Sequence, residues 1–173
     1  MKATGLAAML LALGAVPACT TPLGSITPPS NETLTEPRLA NDAVLREILV
    51  NDQDAFRAAV IAAQPGDAII LANGEWTDFD LVFEATGTEQ NPILLTAQEP
   101  GKVILTGQSS LRLGGQFLVV SGLVFRDGYT PLNEVISFRR DSKTLAFNSR
   151  VTNTVIENYS NPDRTQRDTW VVM

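Results

Sequence analysis

The sequence predicts an all-β fold, a right-handed parallel β-helix in which single strands wind into coils behind an N-terminal capping helix. A repeated pattern is the first observation that predicts it. Val103 to Gly107 reads as three apolar residues, a hydroxyl residue and Gly, and Leu118 to Gly122 repeats this order fifteen positions later. Short β-branched runs that end in a small residue and Gly are typical of a strand followed by a turn. Their repetition along one chain is typical of a solenoid.

A longer internal alignment is the second observation. Val120 to Gly128 aligns with Val151 to Tyr159, and the alignment sets Gly122 against Asn153. Gly and Asn are the residues that most readily adopt a positive φ. We therefore expect Gly107, Gly122 and Asn153 to occupy one sharp bend in successive coils, with the strands between them stacked in parallel.

Short strands without a helical period are the third observation. The predicted strands are Asp67 to Ala72, Leu81 to Phe83, Ile93 to Ala97, Val103 to Thr106, Phe117 to Val120, Leu123 to Phe125, Val135 to Phe138, Val151 to Ile156 and Trp170 to Val172. An antiparallel β-sandwich also uses many short strands. The irregular spacing and the single-residue bends favour the β-helix over the sandwich.

The residues before these strands predict the cap. Asn41 to Ala63 is expected to be helical, with a break near Asn51 where Asn51 or Asp52 can cap a new helix. One apolar face recurs at helical spacing and consists of Phe56, Ala59, Val60 and Ala63. The Pro-Gly pair at 65–66 ends the helix, and Asn73-Gly74 reads as a turn. A helix at this place is expected to cover the first coil, whose apolar end would otherwise be exposed.

Composition excludes several classes of catalytic site. The 173 residues include no His, which excludes Ser-His-Asp and Cys-His catalysis and every metal site that depends on imidazole. Chemistry in this chain has to use Lys, Arg, Tyr, carboxylates or a hard cation held by oxygen atoms. The single Cys cannot form an internal disulfide.

The charge of the chain is uneven. The formal net charge is −6; residues 1–125 carry 6 Lys and Arg against 13 Asp and Glu, and residues 126–173 carry 7 against 6. The later part is therefore the better candidate for contact with an anionic ligand. Nucleic acid is not an expected partner, because the sequence has no dense basic cluster of the kind that binds it.

Three regions follow from the order of residues. Residues 1–19 read as an export signal, with Lys2 as its charged start and a short apolar core that ends just before Cys19. The small residue before Cys19 resembles a bacterial lipobox, which predicts lipidation of Cys19 and an outer-membrane anchor in a Gram-negative cell; plain cleavage, with a periplasmic or secreted product, is the alternative. Residues 20–41 read as a Pro/Thr/Ser-rich tether. Residues 42–173 are expected to form the cap and the first few coils of an incomplete β-helix domain.

Seven stretches of the sequence resemble one family. They begin at Gln64, Asn73, Asn91, Gly101, Ser121, Val135 and Ser149, and read QPGD, NGEWTD, NPILLTA, GKVILTGQS, SGLVF, VISFR and SRVTNTVIENYSNP. In this order, from about Asp54 to Trp170, they resemble the N-terminal coils of polysaccharide lyase family six, the group of alginate lyases and chondroitinase B. The resemblance implies a β-helical enzyme that cleaves acidic uronate polysaccharide by β-elimination. Alginate is the first expected substrate, and chondroitin or dermatan sulfate is the next.

The same resemblance implies how that chemistry is done. In the family a calcium ion, held by an Asn and two Glu, neutralises the uronate carboxylate, a Lys removes the neighbouring proton, and an Arg assists the leaving oxygen. These five residues lie on coils that follow the one carrying Asn153, and none of them maps onto a residue of this chain. We therefore expect no catalytic residue, no calcium ligand and no lyase activity in these 173 residues by themselves.

The candidate contacts with a sugar chain are basic. Arg139, Arg140, Lys143 and Arg150 form the densest basic group of the sequence. Arg139 and Arg150 are the candidate substrate-binding residues, because a guanidinium can hold a carboxylate or sulfate in bidentate fashion. The competing interpretation of this group is a solvated outer face of the solenoid.

Other polar and aromatic residues have two interpretations each. Trp76 and Tyr159 can stack on sugar rings or pack inside the fold. Asn153 and Asn158 can offer amide oxygens to a cation or satisfy the backbone at bends, and Glu157 has no second carboxylate beside it in the sequence. The competing function for the chain is a non-catalytic β-helical surface protein that holds polysaccharide.

Overall fold

The structure is a computed structural model that describes residues 46–166 and 169–173. The predicted leader with Cys19, the tether at 20–41 and the start of the predicted helix lie outside these residues. Within the described part, no helix is both long enough and apolar enough to cross a membrane.

The described part contains one helix and a succession of short strands. The elements are β1 (Arg46–Val50), α1 (Gln53–Ala62), β2 (Asp67–Leu71), β3 (Gly74–Thr77), β4 (Asp80–Thr86), β5 (Ile93–Ala97), β6 (Val103–Gly107), β7 (Ser110–Gln116), β8 (Leu118–Ser121), β9 (Leu123–Gly128), β10 (Glu134–Ser137), β11 (Ala146–Phe147), β12 (Arg150–Thr152), β13 (Val155–Tyr159) and β14 (Thr169–Val172).

These strands form three sheets, and the chain passes from one sheet to the next at each corner. Sheet A has the order β1-β2-β5-β8-β12, sheet B has β3-β6-β9-β13, and sheet C has β11-β7-β10-β14 with β4 also on β7. Every ladder within the three sheets is parallel. One strand from each sheet therefore makes a coil, as in a right-handed parallel β-helix. The prediction of this fold is confirmed, and the sandwich, which needs antiparallel pairs, is excluded.

The core lies inside the three sheets and is built from stacked columns of apolar side chains. In sheet A, Ile69 pairs with Leu95, Leu95 with Val120, and Val120 with Val151. The first three of these are fully buried. Because successive strands lie about 4.8 Å apart, each inward side chain packs directly on its counterpart in the next coil.

Two residues with positive φ lie at equivalent corners after strands of sheet A. Gly122 (φ 82°) and Asn153 (φ 49°) both follow the strand of sheet A, and the register pairs the residues before them, Ser121 with Thr152. The predicted equivalence of Gly122 and Asn153 therefore holds in three dimensions. Gly107 (φ 61°) was placed in the same column, and this was wrong, because it ends β6 and lies at the corner between sheets B and C. The pattern of three apolar residues, a hydroxyl residue and Gly marks the end of a strand in sheet A or in sheet B. It therefore does not show which corner of the coil the Gly occupies.

Helix α1 covers the first coil, as the sequence predicts. Asp52 is its N-cap and accepts a hydrogen bond from the N–H of Ala55 at 2.7 Å. Phe56 and Ala59 are the buried residues of the helix. The ring of Phe56 meets that of Phe79, on the first coil, edge to face with 5.2 Å between centroids.

The residues before α1 form a strand, which corrects the predicted start of the helix. β1 pairs in parallel with β2 along its whole length, from Arg46 opposite Asp67 to Val50 opposite Leu71. The guanidinium of Arg46 donates to both carboxylate oxygens of Asp67, at 3.2 and 2.6 Å, and to the carbonyl of Ala62 at 3.1 Å. These contacts to residues far along the chain stabilise a strand where local propensity favours a helix.

Other elements also differ from the predicted ones. Asn73-Gly74 was predicted as a turn, but Gly74 begins β3 (Gly74–Thr77), and β7 was not predicted at all. The single strand predicted from Val151 to Ile156 is two strands, β12 and β13, separated by the corner at Asn153. The Gly pair at 114–115 gives β7 a weak local signal, and the ladder to β4 supplies what local propensity does not.

Candidate functional site

The predicted basic group lies largely on an excursion from sheet C. β10 pairs with β7 at Leu111 and Arg112, and β11 pairs with β7 at Gly115 and Gln116. Residues 138–145 leave the sheet between these two short strands, and we call them the 138–145 excursion. Its base is closed by a hydrogen bond from the N–H of Ala146 to the carbonyl of Phe138 at 2.8 Å. The excursion is therefore a folded projection on the outer wall of the third coil.

Arg140 fastens the excursion to the sheet below it. Its guanidinium bonds the Glu84 carboxylate at 2.5 Å and the Asp141 carboxylate at 2.7 Å. Arg112, which is ion-paired with Asp80, donates to the carbonyl of Arg140 at 3.1 Å. Arg140 thus holds the fold together and is not a free cation for a ligand.

The absence of a side chain at Gly114 makes room for this contact. A Cβ at Gly114 would lie 3.0 Å from the Thr144 methyl and 3.3 Å from the Cβ of Arg140. The excursion consequently lies directly on the outer face of β7.

Asp141 organises the tip of the excursion. One of its carboxylate oxygens accepts the backbone N–H groups of Lys143 at 2.8 Å and Thr144 at 2.9 Å. The N–H of Lys143, the guanidinium of Arg140 and the N–H of Thr144 together lower the pKa of the Asp141 carboxyl to about 2. These hydrogen bonds connect the backbone of the tip to the Asp141 side chain.

The two candidate substrate-binding residues lie in different surroundings. Arg139 is at the base of the excursion and pairs with Glu134 at 3.1 Å. Arg150 is exposed at the start of β12 in sheet A and, within the described residues, has no ion-pair partner. Arg139 lines a depression with Arg112 and Arg140, whereas Arg150 lines another with Val151 and Val171. The structure therefore does not gather the basic group into one site.

The aromatic candidates for sugar stacking are inside the fold. Trp76 is 6 % exposed, stacks on Phe79 at 5.1 Å between centroids, and donates its indole N–H to the carbonyl of Ala72 at 3.0 Å. Tyr159 is 2 % exposed and its hydroxyl is bonded to backbone groups of the neighbouring coils. Packing, the alternative interpretation, is correct for both.

The polar residues considered as cation ligands form contacts with other side chains of the fold. The amide of Asn158 donates to Asp127, the amide of Asn153 lies 3.4 Å from the Ser121 hydroxyl, and Glu157 is ion-paired with Arg126. Among residues 46–166 and 169–173, no three His, Cys, Asp or Glu side chains come together as a metal site needs. We assign no calcium ligand among the described residues.

A third depression lies beside the excursion and was not predicted. Its floor is a register column across three coils, in which Thr86 pairs with Gln116 and Gln116 with Phe147. Lys143 and Leu145, from the excursion, form its side, and its volume is about 260 Å³. No local pattern marks the floor of this depression, because Thr86, Gln116 and Phe147 are 30 and 31 positions apart and meet only through the winding of the chain.

Comparison with known proteins identifies the family of this solenoid. Residues 50–173 match the family model of chondroitinase B. The chain belongs to the chondroitinase B family. A search of curated proteins returned no match.

Solved structures of family members share the coils described above. The PL6 family alginate lyase AlyGC is 58% identical, with a TM-score of 0.71, over 72% of this chain and 17% of its own. A PL6 family polysaccharide lyase from Pseudopedobacter saltans is 33% identical, with a TM-score of 0.62, over 72% of this chain and 28% of its own. A mannuronic acid specific family 6 lyase from human gut microbiota is 24% identical, with a TM-score of 0.65, over 73% of this chain and 31% of its own, and shows the shared fold.

The chondroitinase B family chain thus spans a minor part of the length of these relatives. The match to AlyGC covers less than a fifth of that protein. The predicted resemblance to the N-terminal coils of polysaccharide lyase family six is confirmed.

Proposed function

We propose that these residues are the N-terminal coils of an exported lyase that cleaves alginate by calcium-assisted β-elimination, and that they have no lyase activity alone. The observation that carries the proposal is the 58% identity to the alginate lyase AlyGC over 72% of the chain. Chondroitin or dermatan sulfate is the next candidate substrate, since the family model is that of chondroitinase B.

The described residues would contribute a scaffold. Stacked coils fix the position of each later coil, because strands of one coil form parallel ladders on strands of the coil before it, as β8 does on β5 and β13 does on β9. The helix α1 prevents exposure of the apolar end of the first coil. In the complete enzyme, calcium would neutralise the uronate carboxylate, and we assign no residue of the described part as its ligand.

Direct contact with the polymer is a smaller contribution from these coils. Arg150 is the stronger of the two predicted substrate contacts, since it is exposed and free of carboxylates in the described part of the chain. Arg139 shares its charge with Glu134, so it has less to offer a uronate.

A chimera tests the proposal. Residues 50–173 replace the matching first coils of AlyGC, and the ultraviolet absorbance of unsaturated uronate is followed with alginate and calcium. We expect the chimera to produce unsaturated uronate from alginate and to lose this activity when calcium is chelated. The 173-residue chain alone is expected to produce none.

Two results would contradict the proposal. A chimera that folds, melts cooperatively and leaves both alginate and dermatan sulfate intact would show that these coils do not support a lyase, and would favour the non-catalytic surface protein. Unsaturated uronate released by the 173-residue chain itself would show that the chemistry resides in residues that we consider structural.

We also propose that the chain is exported and anchored through a lipid on Cys19, on the basis of its leader sequence. Metabolic labelling with a fatty acid in a Gram-negative host, with Cys19→Ser as the control, tests the anchor. Label on the wild-type protein that is absent from Cys19→Ser is expected. A mature protein that is secreted without label would support plain cleavage.

A further inference from the structure

We propose that the depression between the tip of the 138–145 excursion and the Thr86–Gln116–Phe147 column binds a segment of a uronate polysaccharide. The inference rests on the proposed function, which supplies the polymer. It adds a binding site on the outer wall of the first coils, at the corner between sheets C and A.

The floor of the depression has the dimensions and the chemistry of a sugar contact. Thr86, Gln116 and Phe147 follow one another across three successive coils, so the column is ~10 Å long. All three side chains are exposed. The hydroxyl of Thr86 and the amide of Gln116 can both donate and accept hydrogen bonds, as the hydroxyl groups of a sugar require.

Phe147 supplies an apolar platform at one end of the column. Its ring is 58% exposed on β11, which among the described residues pairs only with β7, and Leu145 beside it is 44% exposed. A sugar ring has an apolar face of C–H groups that packs on an aromatic ring. An exposed aromatic residue rimmed by polar side chains is typical of a binding surface.

Lys143 supplies the charge that selects a uronate over a neutral sugar. In the described part of the chain its ammonium group has no ion-pair partner. Asp141 of the excursion and Glu84 of the sheet below it are both paired with Arg140. The ammonium of Lys143 is therefore available to a carboxylate of the ligand.

The site is fixed before any ligand arrives. Asp141 holds the backbone N–H groups of Lys143 and Thr144, and Arg140 ties the same carboxylate to Glu84 on the sheet. The backbone at Phe147 is held in turn, since its carbonyl accepts the N–H of Phe117 at 3.0 Å. Binding to such a prearranged surface costs little ordering entropy.

Titration of the 173-residue chain with a short oligomannuronate, followed by calorimetry and by backbone amide chemical shifts, tests the inference. We expect Lys143→Ala and Phe147→Ala each to weaken binding roughly tenfold, the size of one lost charge-assisted or ring contact. Lys102→Ala and Leu132→Ala are matched controls, because Lys102 and Leu132 are exposed residues outside this depression. Both controls are expected to bind as the wild type does, and a neutral maltooligosaccharide is expected not to bind.

The chemical shifts of the wild-type protein keep the test decisive even if a variant fails to fold. The amides of Thr86, Gln116 and Phe147 are expected to shift on addition of the oligomannuronate. Absence of binding, shifts confined to other parts of the chain, equal losses in the controls, or equal binding of the neutral sugar would each overturn the inference. An inactive chimera together with binding that depends on Lys143 would contradict the proposed lyase role and leave this site in place.

Discussion

The hydroxyl of Tyr159 reaches two coils back along the solenoid and accepts a hydrogen bond from the backbone N–H of Ser109 at 2.8 Å. The same hydroxyl lies 2.7 Å from the carbonyl of Ser109 and donates to it. The Tyr159 ring passes Gly128, where a Cβ would lie 2.8 Å from the ring. Burial raises the pKa of the Tyr159 hydroxyl, so it remains protonated as a donor. One side chain thus joins three successive coils at the corner between sheets B and C.

Tyr159→Phe is expected to lower the free energy of unfolding by about 1–3 kcal/mol, because the buried N–H of Ser109 loses its partner. Urea denaturation followed by circular dichroism measures the change. Tyr129→Phe is the control, since the Tyr129 ring is half-buried and none of the hydrogen bonds found in the described residues involves its hydroxyl. An equal effect of the two substitutions would show that the Tyr159 hydroxyl is not important for stability.

Gly115→Ala is expected to cost more than about 4 kcal/mol or to abolish folding. Gly115 has a φ of 100°, and a Cβ at this position would lie 2.0 Å from the carbonyl oxygen of Ala85. Gly101→Ala separates the steric clash from the backbone strain. Gly101 also has a positive φ, 80°, but no atom lies within 4 Å of a Cβ added there. The control is expected to cost only about 1–2 kcal/mol, the strain of the left-handed conformation. Similar losses in thermal melts of the two variants would contradict the importance of the close approach.

Phe79→Ala is expected to destabilise the protein by about 3–5 kcal/mol. The ring of Phe79 is fully buried and lies between Phe56 of the capping helix and Trp76 of the first coil. Trp fluorescence during urea denaturation measures both the stability and the environment of Trp76. Ile61→Ala, on the exposed side of α1 where Ile61 is 87% exposed, is expected to change stability by less than about 0.5 kcal/mol. A large effect at Ile61 would show that the helix packs through another face.

Stability is expected to fall at acid pH in part through Asp67. The side chain of Arg46 is the main cause that lowers the pKa of the Asp67 carboxyl, and the N–H of Gln64 adds to it against the effect of burial. A carboxyl whose folded pKa is depressed contributes stability above its unfolded pKa of about 4, and loses it as pH falls through the folded value. Asp67→Asn is therefore expected to be less stable than wild type at neutral pH by about 1–3 kcal/mol, with a gap that narrows below about pH 4.

Urea midpoints at neutral and acid pH measure that gap. Asp54→Asn at neutral pH is the control, since Asp54 forms an exposed ion pair with Arg57 on the surface of α1; exposed pairs contribute about 0–1 kcal/mol. A constant gap between wild type and Asp67→Asn across the pH range would contradict the role of the Arg46 contact.

Much of the fold was predictable because its signal is local. The run Ile93 to Ala97 forms a strand with the predicted bounds, and Asp52 caps α1 as its side chain and position indicate. The alignment of Val120 with Val151 matches the register of the ladder, since a solenoid repeats its environment in each coil. Of the residues that line the depression beside Phe147, the sequence analysis singled out only Lys143, because of its charge. The structure places Arg139 and Arg150, the predicted substrate contacts, in two other depressions.

The amino-acid sequence by itself determined the class of fold, the family and the cap, because β-branched runs, positive-φ residues and a capping Asp act over a few neighbouring residues. Only the tertiary structure decided which corner Gly107 occupies, that Arg46–Val50 is a strand, and that Phe147 comes beside Gln116 and Thr86. The physical reason is that these outcomes depend on parallel pairing between residues 21 to 31 positions apart. Such pairing forms only when one coil packs on the next, so a single stretch of sequence does not reveal it.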